Sequence, residues 1–190
     1  MSESLWAATA EELLKRTASP DPTPGGGSIA AVSGALGAGL VLMALRVTDD
    51  PALTEQVHRG ERLLDAIAPA ADGDVRDFET LMAAYRMPKD DPERASAIES
   101  SGVAATERPL DLAETLLEVI ALADAVEPLV KRSIVSDVLA GRDLARGAAA
   151  AAIRTADINL ASLERASSPA APALRARREA ILTALQENQA

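Results

Sequence analysis

The sequence predicts an all-α protein with a single domain. Its apolar residues recur at intervals of three and four, the spacing of one helix face, and alternating β-branched runs between hairpin turns are missing. Hydrophobic residues make up 48% of the 190 residues but aromatic residues only 2%, so the core must be built from Ala, Leu, Val and Ile. Small side chains let helices pack closely, and alanine has the best helix propensity. No low-complexity linker divides the chain, so residues 1–190 are expected to form one helical domain.

The N-terminal elements are predicted from caps and prolines. Ser2 or Ser4 can cap a first helix that runs to about Thr17. The connector SPDPTPGGG ends this helix, because a residue that precedes proline disfavours the helical conformation. Ser28 is expected to cap a second helix that ends near Val47.

A third helix is predicted to begin at the segment TDDPALTEQ. Asp50 is a preferred cap residue, and Pro51 suits the first helical position. This helix is expected to run toward Ala71, to continue through or kink at Pro69, and to resume through Tyr85.

The C-terminal half is predicted to hold three longer elements after a turn at MPKDDPERAS. Residues 92–105 give the weakest pattern, and ERPLDLAETLLEVIALADAVEPLV predicts a helix with Pro109 near its first turn. An Ala-rich helix is expected over residues 128–164, and residues 167–172 break the chain before a terminal amphipathic helix that ends near Gln186.

Composition excludes several classes of function. The formal net charge of −10 argues against a nucleic-acid partner. The chain has no cysteine and only one histidine, His58, so a thiolate site, a histidine-rich metal site and a Ser/His/Asp triad are not expected. The acidic N-terminus is not a signal peptide, and residues 29–45 are uncharged but rich in Gly and Ala, so we expect a buried helix in a cytoplasmic protein without a membrane span.

The glycine triplet Gly25, Gly26 and Gly27 stands directly before the second helix. A phosphate loop would need a following Lys and Ser or Thr, or a preceding strand, and neither occurs. A linker does not fit either, because the next segment carries small residues such as Gly34 and Gly37 on one helix face. Two interpretations stay open: the triplet and the small face serve packing alone, or the unpaired N–H groups near the helix start point at a ligand.

Two further polar groups of residues could carry chemistry. Ser136 and Asp137 lie among apolar residues at one end of a small-residue stripe, and Asn159 lies at the other end. Partial desolvation would raise the pKa of such a carboxyl group, although the residues alone favour a polar contact between helices. The segment DGDVRDFETLMAAYRMPK, with Asp74 and Lys89, indicates by itself only an amphipathic helix with a charged face.

Taken together and in this order, these segments resemble the formiminotetrahydrofolate cyclodeaminase and methenyltetrahydrofolate cyclohydrolase family. The most specific element is PTPGGGSIAAVSGALGAGL, and DVRDFETLMAAYRMPK, RPLDLAETLLEVI and SDVLAGRDLARGAAAAAIRTADINL are similar to later family segments. The resemblance covers nearly the whole chain. It implies an up-and-down bundle of long helices that forms a homodimer, through the Gly and Ala face of the second helix, and binds folate near the glycine triplet.

The resemblance also implies the chemistry. Water attacks the methenyl carbon of methenyltetrahydrofolate, or the anilino nitrogen of formiminotetrahydrofolate attacks the formimino carbon and ammonia leaves. Both routes need a proton taken from the nucleophile and another given to the departing nitrogen, with no metal or redox cofactor. The expected acid/base residues are Asp137 first and Asp74 second, with Ser136 and Lys89 as their partners. The expected substrate-binding residues are Pro24, Gly25, Gly26, Gly27, Ser28 and Asn159.

The substrate and the activity itself have alternatives. The chain carries no separate formiminotransferase domain, which favours the cyclohydrolase reaction. The family usually has an Asn shortly before the Ser-Asp pair, where this chain has Arg132 and Ser133. A helical dimer that binds folate or a partner protein without turnover is therefore the alternative hypothesis.

Overall fold

The computed structural model describes residues 3–187, and this part of the chain is helical without any strand. Short 3-10 helices cover Leu5–Ala7, Pro51–Leu53 and Arg132–Ile134. The α-helices are α1 (Ala10–Thr17), α2 (Gly26–Thr48), α3 (Thr54–Ile67), α4 (Ala70–Arg86), α5 (Arg94–Val126), α6 (Val135–Arg165) and α7 (Ala171–Glu187). The predicted all-α class is confirmed.

Helices α2, α5 and α6 form the centre of the bundle. Helix α6 packs most extensively against α5 and α2. A Cβ built on Gly37 would lie 2.7 Å from the carbonyl oxygen of Gly141, and one built on Gly34 would lie 2.6 Å from Leu116. The small-residue face of α2 is therefore filled by α6 and α5 of the same chain, and our expectation that it forms a dimer contact is wrong.

Helices α2 and α6 run antiparallel. The N-terminal Gly26 of α2 lies beside Thr155 in the C-terminal half of α6, and Gly37 lies beside Leu144 nearer the start of α6. Helix α4 packs on α5. Helix α7 covers α5 and α6, where Arg178 donates two hydrogen bonds of 2.8 and 2.9 Å to Asp157. This is the expected up-and-down arrangement.

Helix α5 passes straight through a proline, which we had placed near the first turn of a shorter helix. Pro109 has no N–H to donate, so the carbonyl of Ala105, four residues earlier, loses its helical partner. The side-chain amide of Asn159 on α6 donates a hydrogen bond of 2.9 Å to that carbonyl. An interhelical contact thus replaces the missing bond, and residues 94–126 remain one helix.

Two predicted helix starts are wrong. Thr9 caps α1 through a reciprocal capping box with Glu12, whereas Ser4 caps only the preceding 3-10 turn and Ser2 lies outside the described residues. Helix α2 begins at Gly26 rather than after Ser28, which is fully buried in its first turn. The N-cap residue is Gly25, which has no side chain to cap the helix, and the hydroxyl of Ser28 donates to Asp74 on α4 instead of capping α2.

Other boundaries differ by less. Asp50 does cap a helical turn with Pro51 at its first position, as predicted. The third predicted helix is divided, because α3 ends at Ile67 and α4 begins directly after Pro69. The Ala-rich helix α6 begins at Val135 rather than near residue 128.

Helix α2 is long and apolar enough to cross a membrane by length and composition alone. In this structure, 67% of its most apolar stretch is buried among the other helices. A core helix passes the same test, and the close contacts of Gly34 and Gly37 are those of a core helix.

Candidate active site

A cleft of about 460 Å³ opens where the start of α2 meets α4, α5 and the C-terminal half of α6. Its walls include the glycine triplet and the side chains of Phe78 and Leu81. The polar side chains that line it are Thr23, Asp74, Asp77, Arg108, Arg154, Thr155 and Asn159.

The glycine triplet brings the backbone of α2 to the edge of this cleft. Gly25 is the N-cap residue in an extended conformation, and the first N–H groups of a helix have no acceptor within the helix. The amides of Gly26 and Gly27 are therefore available to a ligand in the cleft. No glycine in the described chain has a positive φ, so the triplet is not required for left-handed backbone angles.

Close approach explains Gly27 better than backbone freedom does. A Cβ built on Gly27 would lie 2.7 Å from Cγ of Asp74, whereas one built on Gly26 would have only an ordinary contact of 3.4 Å with Oγ1 of Thr155. Glycine at position 27 thus allows the carboxyl group of Asp74 to rest directly on the first turn of α2.

The fold perturbs the pKa of Asp74, a carboxyl group in this cleft. Its Oδ2 accepts a hydrogen bond of 2.6 Å from the hydroxyl of the buried Ser28. Burial raises the pKa of Asp74 above its ordinary value, and the nearby Asp77 carboxylate raises it further. Hydrogen bonds from the hydroxyl and backbone N–H of Ser28, and the charge of Arg108, act in the opposite direction but do not outweigh burial.

Arg108 on α5 and Asp77 on α4 form an ion pair beside Asp74. The hydrogen bond with Asp77 raises the pKa of Arg108 above its ordinary value. A Cβ built on Gly73 would lie 2.6 Å from Nη1 of Arg108, so glycine at that position admits the guanidinium group. The pair places one positive and one negative charge at the wall of the cleft.

A second cavity of about 430 Å³ continues from the cleft. The two cavities share Leu81 and Asn159, and the second is lined further along by Tyr85, Arg94 and Ile98. An elongated ligand can therefore extend from the glycine triplet past Asn159.

The structure brings most of the predicted binding residues together. Gly25, Gly26, Gly27 and Asn159 line the cleft, and Asn159 reaches it with its amide nitrogen already bonded to Ala105. Two others lie one layer behind the wall: Pro24 and Ser28 are both buried.

Only one of the two predicted acid/base residues lies in the cleft. Asp74 lies in the cleft, but Asp137 lies in the first turn of α6, 18 residues before Thr155 and so about 27 Å along the same helix. Ser136 is exposed beside Asp137, and Lys89 is exposed after the end of α4, outside the lining of the cleft.

Sequence reasoning assigned no role to Arg108, Arg154 or Thr155. Their positions depend on α5 and α6 meeting α4 and α2, and nothing in their local sequence distinguishes them from surface residues. Phe78 offered a signal, since it is the chain's only phenylalanine, but core packing explained it equally well.

Among residues 3–187, no group of three or more His, Asp or Glu side chains is arranged to hold a metal ion.

Comparison with known proteins gives consistent results. A family model described as formiminotransferase-cyclodeaminase matches residues 9–178. A methenyltetrahydrofolate cyclohydrolase from Methylorubrum extorquens is 35% identical over an alignment of 141 residues that covers 68% of this chain and 68% of the relative. A formimidoyltransferase-cyclodeaminase from Sus scrofa is 32% identical over an alignment of 126 residues that covers 60% of this chain but only 23% of that longer protein.

A solved structure shares the fold. The crystal structure of a formiminotetrahydrofolate cyclodeaminase from Thermotoga maritima superimposes with a TM-score of 0.74, with 97% of each chain covered and 18% sequence identity.

Proposed function

Because the chain belongs to the formiminotransferase-cyclodeaminase family, we propose that it is an enzyme of one-carbon folate metabolism. The proposed reaction is hydrolysis of methenyltetrahydrofolate to formyltetrahydrofolate, with cyclodeamination of formiminotetrahydrofolate as the second candidate. The cyclohydrolase comes first because that relative is 35% identical and matches 68% of both chains.

The observation that carries the proposal is Asp74 in the cleft, held by Ser28 with a raised pKa. In the hydrolysis, Asp74 takes a proton from water as the C–O bond forms at the methenyl carbon. It then gives a proton to the nitrogen as the C–N bond breaks, while the hydroxyl proton of the intermediate leaves to solvent. Asp74 can carry out both proton transfers because the attacking oxygen and the departing nitrogen are bonded to the same tetrahedral carbon. Such proton transfer contributes about 10²–10⁴ to the rate.

Binding is assigned to the walls around Asp74. The amides of Gly26 and Gly27 face polar atoms of the substrate, and the half-buried ring of Phe78 offers a flat surface for the pterin. The cavity beyond Asn159 accommodates the rest of the elongated molecule. Arg108 supplies a positive charge near the negatively charged substrate.

Asp137, Ser136 and Lys89 stay predictions as catalytic residues. Within one chain, the distance of about 27 Å from Asp137 to Thr155 keeps Asp137 out of the cleft. Only a second copy of the chain could bring Asp137 and Ser136 to it.

The proposed biological setting follows from the same function. The protein acts in the cytoplasm as a homodimer, requires no cofactor besides its folate substrate, and binds neither nucleic acid nor membrane. The net charge of −10 supports the absence of a nucleic-acid partner. A folate-binding dimer without turnover is not favoured, because the relatives are named as enzymes.

The test is an absorbance assay of the purified protein with methenyltetrahydrofolate and formiminotetrahydrofolate. Asp74→Asn keeps the size of the side chain, so folate binding should persist while turnover falls by about 10² or more. Asp65→Asn, on the exposed side of α3, is the matched control and should keep full turnover. Binding without conversion of either substrate by the parent protein would support the non-catalytic alternative instead.

A further inference from the structure

Asp77 is a second carboxylate at the wall of the cleft, one helical turn beyond Asp74. Its side chain is only 17% exposed, and its Oδ2 accepts a hydrogen bond from Nε of Arg108. Withdrawing a carboxylate from water costs free energy unless a partner compensates for it. The proton transfers proposed for Asp74 do not use Asp77, so its presence in the cleft needs another explanation.

The guanidinium group of Arg108 rests on the backbone of α4 beside Asp74. A Cβ built on Gly73 would lie 2.6 Å from Nη1, 2.8 Å from Cζ and 2.9 Å from Nε of Arg108. These three distances are nearly equal, so the face of the guanidinium group covers the Cα of Gly73. Gly73 directly precedes Asp74 in the sequence, and Arg108 is therefore held next to the proposed acid/base residue.

Arg108 lies within electrostatic range of two carboxyl groups. Asp74 and Asp77 are three residues apart in α4, so they are neighbours on one face of the helix. The charge of Arg108 acts on Asp74 as well as on Asp77. The structure nevertheless gives each carboxyl group its own partner, because Asp77 accepts from Arg108 and Asp74 accepts at 2.6 Å from the hydroxyl of Ser28.

We infer that Asp77 is a positioning residue, which holds Arg108 on the backbone of Gly73 and so prevents Arg108 from forming an ion pair with Asp74. The inference rests on the proposed function, since it concerns the group that takes a proton from water. The planar fork of N–H donors in a guanidinium group matches the geometry of a carboxylate. An arginine beside two carboxylates therefore needs a device that selects one of them.

Asp111 does not offer Arg108 an equivalent partner. It follows Arg108 by three residues in α5, but its Oδ1 already accepts a hydrogen bond of 2.6 Å from Arg177 on α7. Loss of Asp77 would therefore leave Asp74, one turn back along α4, as the carboxyl group to which Arg108 turns.

The charged groups around Asp74 come from three helices. Asp77 faces it from α4, Arg108 from α5 and Arg154 from the part of α6 that lines the cleft. Residues 26–45 of α2 contribute no charge. Asp77 raises the pKa of Asp74 and Arg108 lowers it, so the two members of the ion pair oppose each other there.

An ion pair between Arg108 and Asp74 would impair the proposed reaction in two ways. It would stabilise the ionised carboxyl group, which lowers the pKa of Asp74 and makes it a weaker base toward water. It would also place a positive charge against the methenyl group, in which the two nitrogens that flank the carbon share a positive charge. By holding Arg108, Asp77 prevents both effects.

A crystal structure of Asp77→Ala tests the placement directly. Alanine is the suitable replacement because an asparagine could still accept a hydrogen bond from Arg108. The guanidinium group should leave Gly73 and donate to a carboxyl oxygen of Asp74. A guanidinium group that stays on Gly73 in this variant would overturn the inference.

Carbon-13 NMR of the side-chain carboxyl groups measures the consequence without any substrate. The signal that is missing from Asp74→Asn identifies Asp74. Its pKa should fall in Asp77→Ala and rise in Arg108→Gln, whereas a merely structural role would not shift it in opposite directions. Glu79→Ala, which removes an exposed carboxylate from the same helix, is the matched control and should leave the pKa unchanged.

The double variant separates positioning from simple charge. If Asp77 acts by holding Arg108, its replacement should lower the pKa of Asp74 further in the parent than in the Arg108→Gln background. Equal shifts in both backgrounds would mean that Asp77 acts through its charge alone, and they would overturn the inference.

Kinetics connect the pair to turnover. Asp77→Ala should lower kcat for methenyltetrahydrofolate about tenfold or more, and the rise of kcat/KM with pH should move to lower pH together with the pKa of Asp74. Asp77→Ala/Arg108→Gln should recover most of the lost kcat. Parent turnover with no change in kcat or pH profile in Asp77→Ala would overturn this inference and leave the proposed function intact. The expected NMR shifts in a parent protein that converts neither substrate would contradict the proposed function while supporting the positioning of Arg108.

Discussion

Replacing Gly27 with alanine is the sharpest test of how the cleft is built. The new Cβ would lie 2.7 Å from Cγ of Asp74 and closer still to its Oδ1. Optimal carbon–carbon contacts are about 3.5–4.0 Å, so the carboxyl group must withdraw by roughly 1 Å. Gly27 is on a helix that is buried against α4 and α6, so the backbone of α2 has little freedom to move instead.

The expected cost follows from this displacement. Overpacking a dense site costs about 1–3 kcal/mol, and for a chain of this size each kcal/mol lowers Tm by about 2–4 °C. Moving Asp74 also lengthens its 2.6 Å hydrogen bond with Ser28. A misplacement of about 1 Å at a reacting group can cost about 10² in rate, so turnover should fall at least that far.

The measurements are the Tm by circular dichroism and the turnover of methenyltetrahydrofolate by absorbance. Gly26→Ala is the steric control, because its Cβ has only a 3.4 Å contact with Thr155, and its Tm should match that of the parent. If Gly27→Ala kept both the parent Tm and the parent turnover, Asp74 would not be the group that the glycine admits.

Three further outcomes are expected. Burial raises the pKa of Asp74, so the stability that this group contributes is complete below the pKa of an unfolded Asp and is lost as pH rises through the raised pKa. Urea denaturation of Asp74→Asn at several pH values should lack this decline, and equal pH dependence in both proteins would contradict the prediction. Gly37→Ala should lower stability by about 1–3 kcal/mol because its Cβ meets a facing backbone carbonyl at 2.7 Å, whereas Gly60→Ala meets a movable leucine methyl at 3.2 Å and should cost less than 1 kcal/mol in the same denaturation experiment. Asn159→Leu should lower the free energy of unfolding by about 1–3 kcal/mol because it leaves the carbonyl of Ala105 unpaired. Pro109→Ala should reduce that loss because it restores the N–H donor within α5, and additive effects in the double-mutant cycle would refute this coupling.

Local patterns in the sequence were sufficient to predict the helices and the position of the glycine triplet at the start of α2. Apolar spacing, Asp50 with Pro51, and the Gly-rich start of α2 all act within a few residues of where they occur. The all-α class and most helix positions could therefore be predicted. The start of α2 was misplaced because the hydroxyl of Ser28 is used by a carboxylate 46 residues away rather than by its own helix.

Local sequence patterns could not show which of the two carboxyl groups, Asp74 or Asp137, lies in the cleft of its own chain. Asp137 has apolar sequence neighbours, which suggested desolvation, but in a helix those neighbours point elsewhere and the carboxyl group stays half-buried. Asp74 has charged sequence neighbours, yet the start of α2 covers it. Burial of a side chain is decided by the elements that pack on it, and these are distant in sequence.

Pro109 in α5 gives a second case in which a contact between residues distant in sequence decides the local structure, and this contact lies at the site. Pro109 leaves the carbonyl of Ala105 without a donor, and Asn159 supplies one from α6. This contact fixes the amide group of Asn159 at the junction of the two cavities, so its side-chain oxygen has a defined position there. A residue that was predicted to bind substrate is thus already oriented by the need to satisfy a broken helix bond. The missing hydrogen bond in α5 therefore positions the cleft wall, and one contact accounts for both the proline and the asparagine.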